Sequence, residues 1–157
     1  MHPSAFLASL LPLLAAASPL VERAGGPASV PVPASCAVIN PLPFANCGSS
    51  NVDGYKPNPD FVTDHLLYQA YFTSGQSQAE DAQQCKEQCF GYGNPGQCKS
   101  SFIANQVPTP KGYYGTKGGQ LETGCLLFDE YLSPLDFISS KAGRYVNATA
   151  TDIYCSR

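Results

Sequence analysis

The spacing of apolar residues predicts one amphipathic helix in the middle of the chain. Over residues 78–90, apolar side chains recur at Ala82, Cys85 and Cys89, an i, i+3, i+7 pattern that places them on one helix face. The preceding segment Ser77-Gln78-Ala79-Glu80 matches a capping box, in which the serine and the glutamate satisfy backbone amides of the first turn. We therefore expect a helix over 78–90 that buries this face.

Strands are predicted on both sides of that helix. The stretch Leu66–Phe72 combines β-propensity with partial alternation, and three apolar stretches after the helix predict strands at about Lys99–Asn105, Gly124–Asp129 and Thr151–Cys155. One helix among several strands predicts the α+β fold class. Because glycine and proline number 14 each, we expect a loop-rich domain that depends on cross-links.

The N-terminal third divides into three segments. Residues 1–17 contain an apolar run of signal-peptide length, too short to span a bilayer, and small residues suited to cleavage. Residues 18–35 are rich in Pro, Ala and Ser, as in a linker or propeptide. Residues 36–60 are expected to be irregular, and the ordered core is expected to begin near Phe61. Residues 36–157 thus form the predicted domain.

The charge of the chain and the lengths of its apolar stretches limit the classes of partner that we expect. The formal net charge is −3, and the nine Lys and Arg residues are scattered. Nucleic acids and anionic membranes both require clustered basic residues, so neither is an expected partner. No later apolar stretch reaches the length of a membrane span.

The chain contains seven cysteines, and their positions indicate a secreted protein stapled by disulfides. An odd number permits at most three internal bridges, which leaves one cysteine unpaired or engaged in an intermolecular disulfide.

The order of a helix with Cys85 and Cys89, a CKSSF strand, a CLLFD strand and a closing Tyr-Cys pair resembles the PAN/apple domain. The resemblance covers about Leu66–Cys155, and fungal secreted proteins include many such domains with extended loops. It implies one helix packed on a small, curved antiparallel sheet. It also implies a non-catalytic role, the binding of an extracellular protein or glycan at a cell surface or wall.

The resemblance further implies three disulfides. Cys85 would bond Cys125, Cys89 would bond Cys98, and Cys155 would bond either Cys47 or Cys36. Disulfide geometry is consistent with the first two, because cysteines four apart in a regular helix do not readily bond each other and should reach strands instead.

Candidate catalytic and metal-binding residues are few. His65 is the one histidine after the predicted signal peptide, which excludes hydrolases that use paired histidines. Carboxylates that could serve glycoside hydrolysis occur as Asp60 and Asp64, Glu80 and Asp81, and Asp129 and Glu130. We interpret these as solvated, with Glu80 and Asp81 explained by the start of the helix. A zinc site at Cys85 and Cys89, or a calcium site at Asp53, Asp60 and Asp64, lacks the expected ligand spacing, so no metal or cofactor is predicted.

The remaining candidate is the long loop 106–123, where Tyr113 and Tyr114 stand among glycines. Tyrosines that project from a loop suit sugar rings or protein partners, whereas tyrosines that fold back would cover the sheet. Asn147 begins a glycosylation sequon. We therefore predict a secreted, non-catalytic binding module. The alternatives are a small secreted hydrolase that uses carboxylates and a structural or host-interacting protein joined to a partner through the odd cysteine.

Overall fold

The elements follow the predicted α+β class, with additions in the N-terminal part. The computed structural model describes residues 26–43 and 52–156. In chain order these residues form β1 (Ala37–Ile39), β2 (Tyr55–Pro57), α1 (Pro59–His65), β3 (Leu66–Phe72), α2 (Gln78–Phe90), β4 (Ser100–Pro108), β5 (Leu121–Phe128), β6 (Phe137–Ser139) and β7 (Val146–Tyr154). Short 3₁₀ turns lie at Tyr113–Gly115 and Pro134–Asp136.

The main sheet has five antiparallel strands in the order β1-β7-β4-β5-β3, and β2 pairs with β6 in a separate two-stranded sheet. Register shifts interrupt β4 after Ile103 on its β7 side and after Ala104 on its β5 side. Such bulges bend a strand and increase its twist. Both shifts lie within residues 103–107 and so place Gln106 at an irregular part of β4.

Helix α2 has the predicted bounds and the predicted cap. The amide of Glu80 donates to the Ser77 hydroxyl, and the amide of Ser77 donates to the Glu80 carboxylate at 2.9 Å. These reciprocal hydrogen bonds satisfy amides that the first turn would otherwise leave unpaired. The helix buries Asp81, Cys85 and Cys89 against the sheet.

Side chains fill a core on each face of the sheet. Ile103, Leu127 and Ile153 join the α2 cysteines on the helix face, while a second cluster on the other face includes Phe102 and Leu126. Phe102 and Ile103 are neighbours on one strand and lie in different clusters, as the period of two in a β-strand requires.

Three disulfides fix the domain. They join Cys85 to Cys125, Cys89 to Cys98, and Cys36 to Cys155. The first two are the pairs that the resemblance implied, and Cys36 is the partner of Cys155. The remaining cysteine, Cys47, lies outside the described residues, as does the predicted signal peptide over 1–17.

The expectation that residues 36–60 are irregular, with the core beginning near Phe61, was wrong. This segment holds β1, β2 and the start of α1, and the buried side chain of Leu42 belongs to the core. The α1 helix begins because the Asn58 side chain accepts a hydrogen bond from the Asp60 amide at 3.1 Å and Pro59 occupies the first helical position.

The described part of the predicted linker, residues 26–35, packs along α2. The amide of Val30 donates to the Glu87 carbonyl at 3.2 Å, and the Ser29 hydroxyl donates to the Glu87 carboxylate at 2.9 Å. A side chain at Gly91 would meet the Ala28 carbonyl, which shows how closely the two segments approach. Within the described residues, no helix is long and apolar enough to cross a membrane.

Candidate functional site

The loop that carries the two predicted tyrosines is shorter than expected and firmly closed. Because β4 continues to Pro108 and β5 begins at Leu121, the loop spans residues 109–120, which we call the tyrosine loop. Two backbone hydrogen bonds of 2.8 Å close its base, from Thr109 to Gln120 and from Gly119 to Thr109. The loop therefore has a fixed base from which its tip projects.

Tyr113 folds back onto the sheet. Its hydroxyl accepts a hydrogen bond from the Tyr71 amide at 3.0 Å, and the two rings meet edge to face at 4.9 Å. Tyr71 lies on β3, which forms one edge of the sheet among the described residues and so leaves its outer amides without a strand partner there. Burial, followed by the neighbouring Tyr145 and Tyr113, raises the pKa of Tyr71 to about 12. Tyr113 therefore anchors the loop and protects the sheet edge.

Tyr114 instead projects into solvent, with 83% of its surface exposed. Its backbone is left-handed, with φ of 44° and ψ of 38°, and its ring rests against Tyr113 at 4.7 Å. A left-handed conformation in a residue other than glycine costs about 1–3 kcal/mol and persists only where neighbouring structure enforces it. The fold thus holds Tyr114 outward, with its ring against the half-buried ring of Tyr113.

A second feature, missed by the sequence analysis, is a polar cleft of about 290 Å³ beside the start of α2. We call it the acidic cleft, because it contains two carboxylates. Its lining consists of Phe72, Thr73, Ser74, Gln76, Gln78, Asp81, Asn105, Gln106, Leu121, Glu122 and Thr123. The bulge in β4 contributes to its shape, since Gln106 adopts a positive φ of 56° there.

Asp81 is the central residue of this cleft, and the expectation that its carboxylate is solvated was wrong. Only 3% of its surface is exposed, although its neighbour Glu80 points into solvent and completes the capping box. The amide and hydroxyl of Ser77 hold the pKa of Glu80 below its usual range. Asp81 lies four residues before Cys85 and therefore shares its buried face. The spacing of four residues between Asp81 and Cys85 could therefore have predicted from the sequence that Asp81 is buried.

The other predicted carboxylates lie on the surface away from the acidic cleft. Asp129 contacts His65 with 3.0 Å between Oδ1 and Nδ1, and Glu130 pairs with Lys99 at 3.1 Å. The backbone amide of Tyr131 and then Lys99 hold the pKa of Glu130 below its usual range. Asp60 and Asp64 are exposed on α1. These contacts agree with solvated carboxylates.

Candidate metal ligands are engaged elsewhere. The sulfurs of Cys85 and Cys89 lie in disulfides, and the Asp53 carboxylate accepts the Asn147 amide at 2.6 Å. Within residues 26–43 and 52–156, no three His, Cys, Asp or Glu side chains are grouped so as to hold a metal ion. Asn147 is exposed, as a glycosylated asparagine must be, and its glycosylation stays a prediction.

Comparison with known families, proteins and structures identifies no protein similar to this chain. No family model, no curated protein and no solved structure matches the chain. The PAN/apple resemblance therefore rests on the residues quoted above and stays a prediction.

Proposed function

We propose that this protein is a secreted, non-catalytic binding module that recognises carbohydrate or protein at a cell surface or wall through its tyrosine loop. The observation that carries the proposal is Tyr114, an aromatic side chain that is 83% exposed at the tip of an anchored loop. Tyrosine combines an apolar ring with a polar hydroxyl, and such side chains dominate contacts with proteins and pack well on sugar rings.

The anchoring of the loop supports this function. Tyr113 holds the loop to β3 through its hydroxyl and supports the Tyr114 ring from below. A contact residue that is already ordered loses little conformational entropy on binding, so more of the interaction energy contributes to affinity.

Secretion and the PAN/apple resemblance are parts of the same proposal. Three disulfides favour an oxidising compartment, and the apolar N-terminal run and the Asn147 sequon agree with export. A helix joined by disulfides to an antiparallel sheet supports the resemblance. A hydrolase based on Asp129 and Glu130 gains no support, because each carboxylate is paired with a basic side chain at the surface.

The test is a binding panel of cell-wall polysaccharides and cell-surface extracts, measured with the disulfide-intact protein. Tyr114→Ala should weaken binding to the recognised ligand about 10-fold or more, the effect of losing a contact hot spot. Leu135→Ala is the matched control, because Leu135 is 89% exposed on a different turn and its loss should leave binding unchanged.

Three results would count against the proposal. Binding by Tyr114→Ala equal to wild type across the whole panel would remove the tyrosine loop as the contact surface. Turnover of a polysaccharide that disappears in Asp129→Asn or Glu130→Gln would instead establish the hydrolase alternative. Mobility on a gel that shifts to a monomer on reduction would favour the alternative with an intermolecular disulfide.

A further inference from the structure

We propose that the acidic cleft binds an amino sugar, a sugar ring that carries a protonated primary amine. The cleft is a site distinct from the tyrosine loop, since none of residues 109–120 lines it. The inference therefore does not depend on the function proposed for that loop.

The first argument is charge. Asp81 and Glu122 both line the cleft, and no Lys, Arg or His is among its described lining residues. Two carboxylates in one small cleft attract a cation. The cleft thus favours a positively charged ligand over a neutral or anionic one.

The second argument is that hydrogen-bond acceptors of two lining residues have no donor within the described residues. Asp81 is 3% exposed, and no hydrogen bond or ion pair among the described residues reaches its carboxylate. The Gln78 side chain donates through Nε2 to the Asn147 carbonyl at 2.8 Å, which leaves its Oε1 buried without a partner. A nearly buried carboxylate without a donor is costly, so Asp81, which lines the cleft, favours a donor from a ligand.

Glu122 completes the acceptor set. Its Oε2 receives the Thr73 hydroxyl at 3.0 Å, which orients the carboxylate at the cleft and leaves its second oxygen available. An ammonium group has three donors and no acceptor. Its donors therefore suit the two carboxylates, Asp81 and Glu122, that line the cleft.

The rest of the lining indicates a sugar ring rather than a lysine side chain. Apart from Phe72, Leu121 and the two carboxylates, the cleft is lined by residues with amide or hydroxyl side chains, which suit ring hydroxyls and do not form the apolar sleeve that a lysine stem requires. Its volume of about 290 Å³ lies at the lower end of the range for ligand pockets, which fits a single ring.

The experiment is a titration by isothermal calorimetry at pH 6, where the amine is protonated, using the disulfide-intact protein after enzymatic deglycosylation. The probes are glucosamine, N-acetylglucosamine, glucose and Nα-acetyl-lysine amide. Glucosamine should bind at least about 10-fold more tightly than the three others, because only glucosamine combines the charged amine with the ring.

Substitutions then locate the site. Asp81→Asn and Glu122→Gln should each weaken glucosamine binding about 10- to 100-fold, as expected for losing a charge-assisted hydrogen bond. Asp64→Asn makes the same chemical change at an exposed carboxylate and should leave the affinity unchanged. Asp81→Asn is close in shape to the native side chain, and a thermal midpoint at or above that of wild type would show that the variant folds.

Several outcomes would overturn the inference. Equal affinity for glucosamine and N-acetylglucosamine would show that the charge is not recognised. Equal affinity for glucosamine and the lysine derivative would show that the sugar ring is not recognised. Undiminished glucosamine binding by both Asp81→Asn and Glu122→Gln would place the site elsewhere. Competition by calcium at low millimolar concentration would identify a cation site instead. Tyr114→Ala should leave glucosamine binding intact, and loss of glucosamine binding in this variant would place the sugar on the tyrosine loop instead.

Discussion

Asp152→Asn should stabilise this protein near neutral pH and lose that effect in acid. Asp152 lies on β7 with 2% of its surface exposed. Its Oδ1 accepts the Leu132 amide at 3.1 Å, and its Oδ2 accepts the Tyr154 hydroxyl at 3.4 Å. Burial raises the pKa of Asp152 from 3.8 to about 6, with a smaller increase from the charge of Asp136, although the two hydrogen bonds act in the opposite direction.

The magnitude follows from linkage. Because the folded pKa lies above the unfolded value, the folded state binds the proton more tightly. The resulting stabilisation is complete below about pH 4 and is lost as the pH rises through about 6. At about 1.4 kcal/mol for each pKa unit, the change from 3.8 to about 6 corresponds to at most about 3 kcal/mol. Asparagine retains an oxygen for the Leu132 amide and carries no charge at any pH.

We therefore expect the free energy of unfolding of Asp152→Asn to exceed that of wild type by about 1–3 kcal/mol at pH 7.5. At pH 4 the two free energies of unfolding should be nearly equal. Urea denaturation followed by circular dichroism at several pH values measures this difference. The other carboxylates are common to both proteins, so their contributions to the pH dependence cancel in the comparison. Asp64→Asn, at an exposed site, should differ from wild type by no more than about 0.5 kcal/mol throughout. A variant less stable than wild type at pH 7.5, or a difference independent of pH, would refute the reasoning.

Three further predictions concern the cross-links, the helix cap and the core. Replacing both Cys36 and Cys155 with Ser opens a loop closed over a sequence separation of 119 residues and should lower the free energy of unfolding by about 5 kcal/mol, so an unchanged urea midpoint would contradict it. Ser77→Ala removes the cap of α2 and should cost about 1 kcal/mol in the same assay, while Ser77→Thr should retain most of it. A methyl group at Gly124 would stand 3.1 Å from the Val107 side chain, so Gly124→Ala should cost about 1–3 kcal/mol. Adding Val107→Ala should then cost less than the two single effects sum to, and strict additivity would exclude the predicted clash.

Local signals in the sequence predicted the elements that local chemistry determines. Helix α2 has its predicted bounds because the capping box fixes its start and its apolar face has a clear period. Strand β3 also has its predicted bounds, Leu66–Phe72. The later strands β4, β5 and β7 were predicted too short, because their ends pair with each other through contacts between distant segments.

The elements that were missed depend on tertiary contacts. Strands β1 and β2 have three residues each, too few to show alternation, and β2 contains Pro57. Helix α1 had a signal in Asn58 followed by Pro59, a capping residue and a proline at the first helical position. The acidic cleft was missed because Asp81 was assigned to the helix start, although its spacing from Cys85 also placed it on the buried face.

The tyrosine loop shows the same division. The sequence predicted a glycine-rich loop with two adjacent tyrosines, and it left open whether they project or fold back. In the structure Tyr113 folds back and Tyr114 projects, because the Tyr71 amide at the edge of the sheet donates to the Tyr113 hydroxyl. Tyr114 projects into solvent from the next position, where its own backbone is left-handed.

The central claim is that an anchored, exposed tyrosine binds a ligand without chemical turnover. Amide chemical shifts of the isotope-labelled, disulfide-intact protein, recorded during titration with soluble cell-wall oligosaccharides and cell-surface extracts, test it most directly. We predict shifts concentrated in residues 109–120 for the recognised ligand, absent in Tyr114→Ala, with the ligand recovered at its original mass. Shifts that leave residues 109–120 untouched across the panel, or recovery of a cleaved ligand, would contradict the claim.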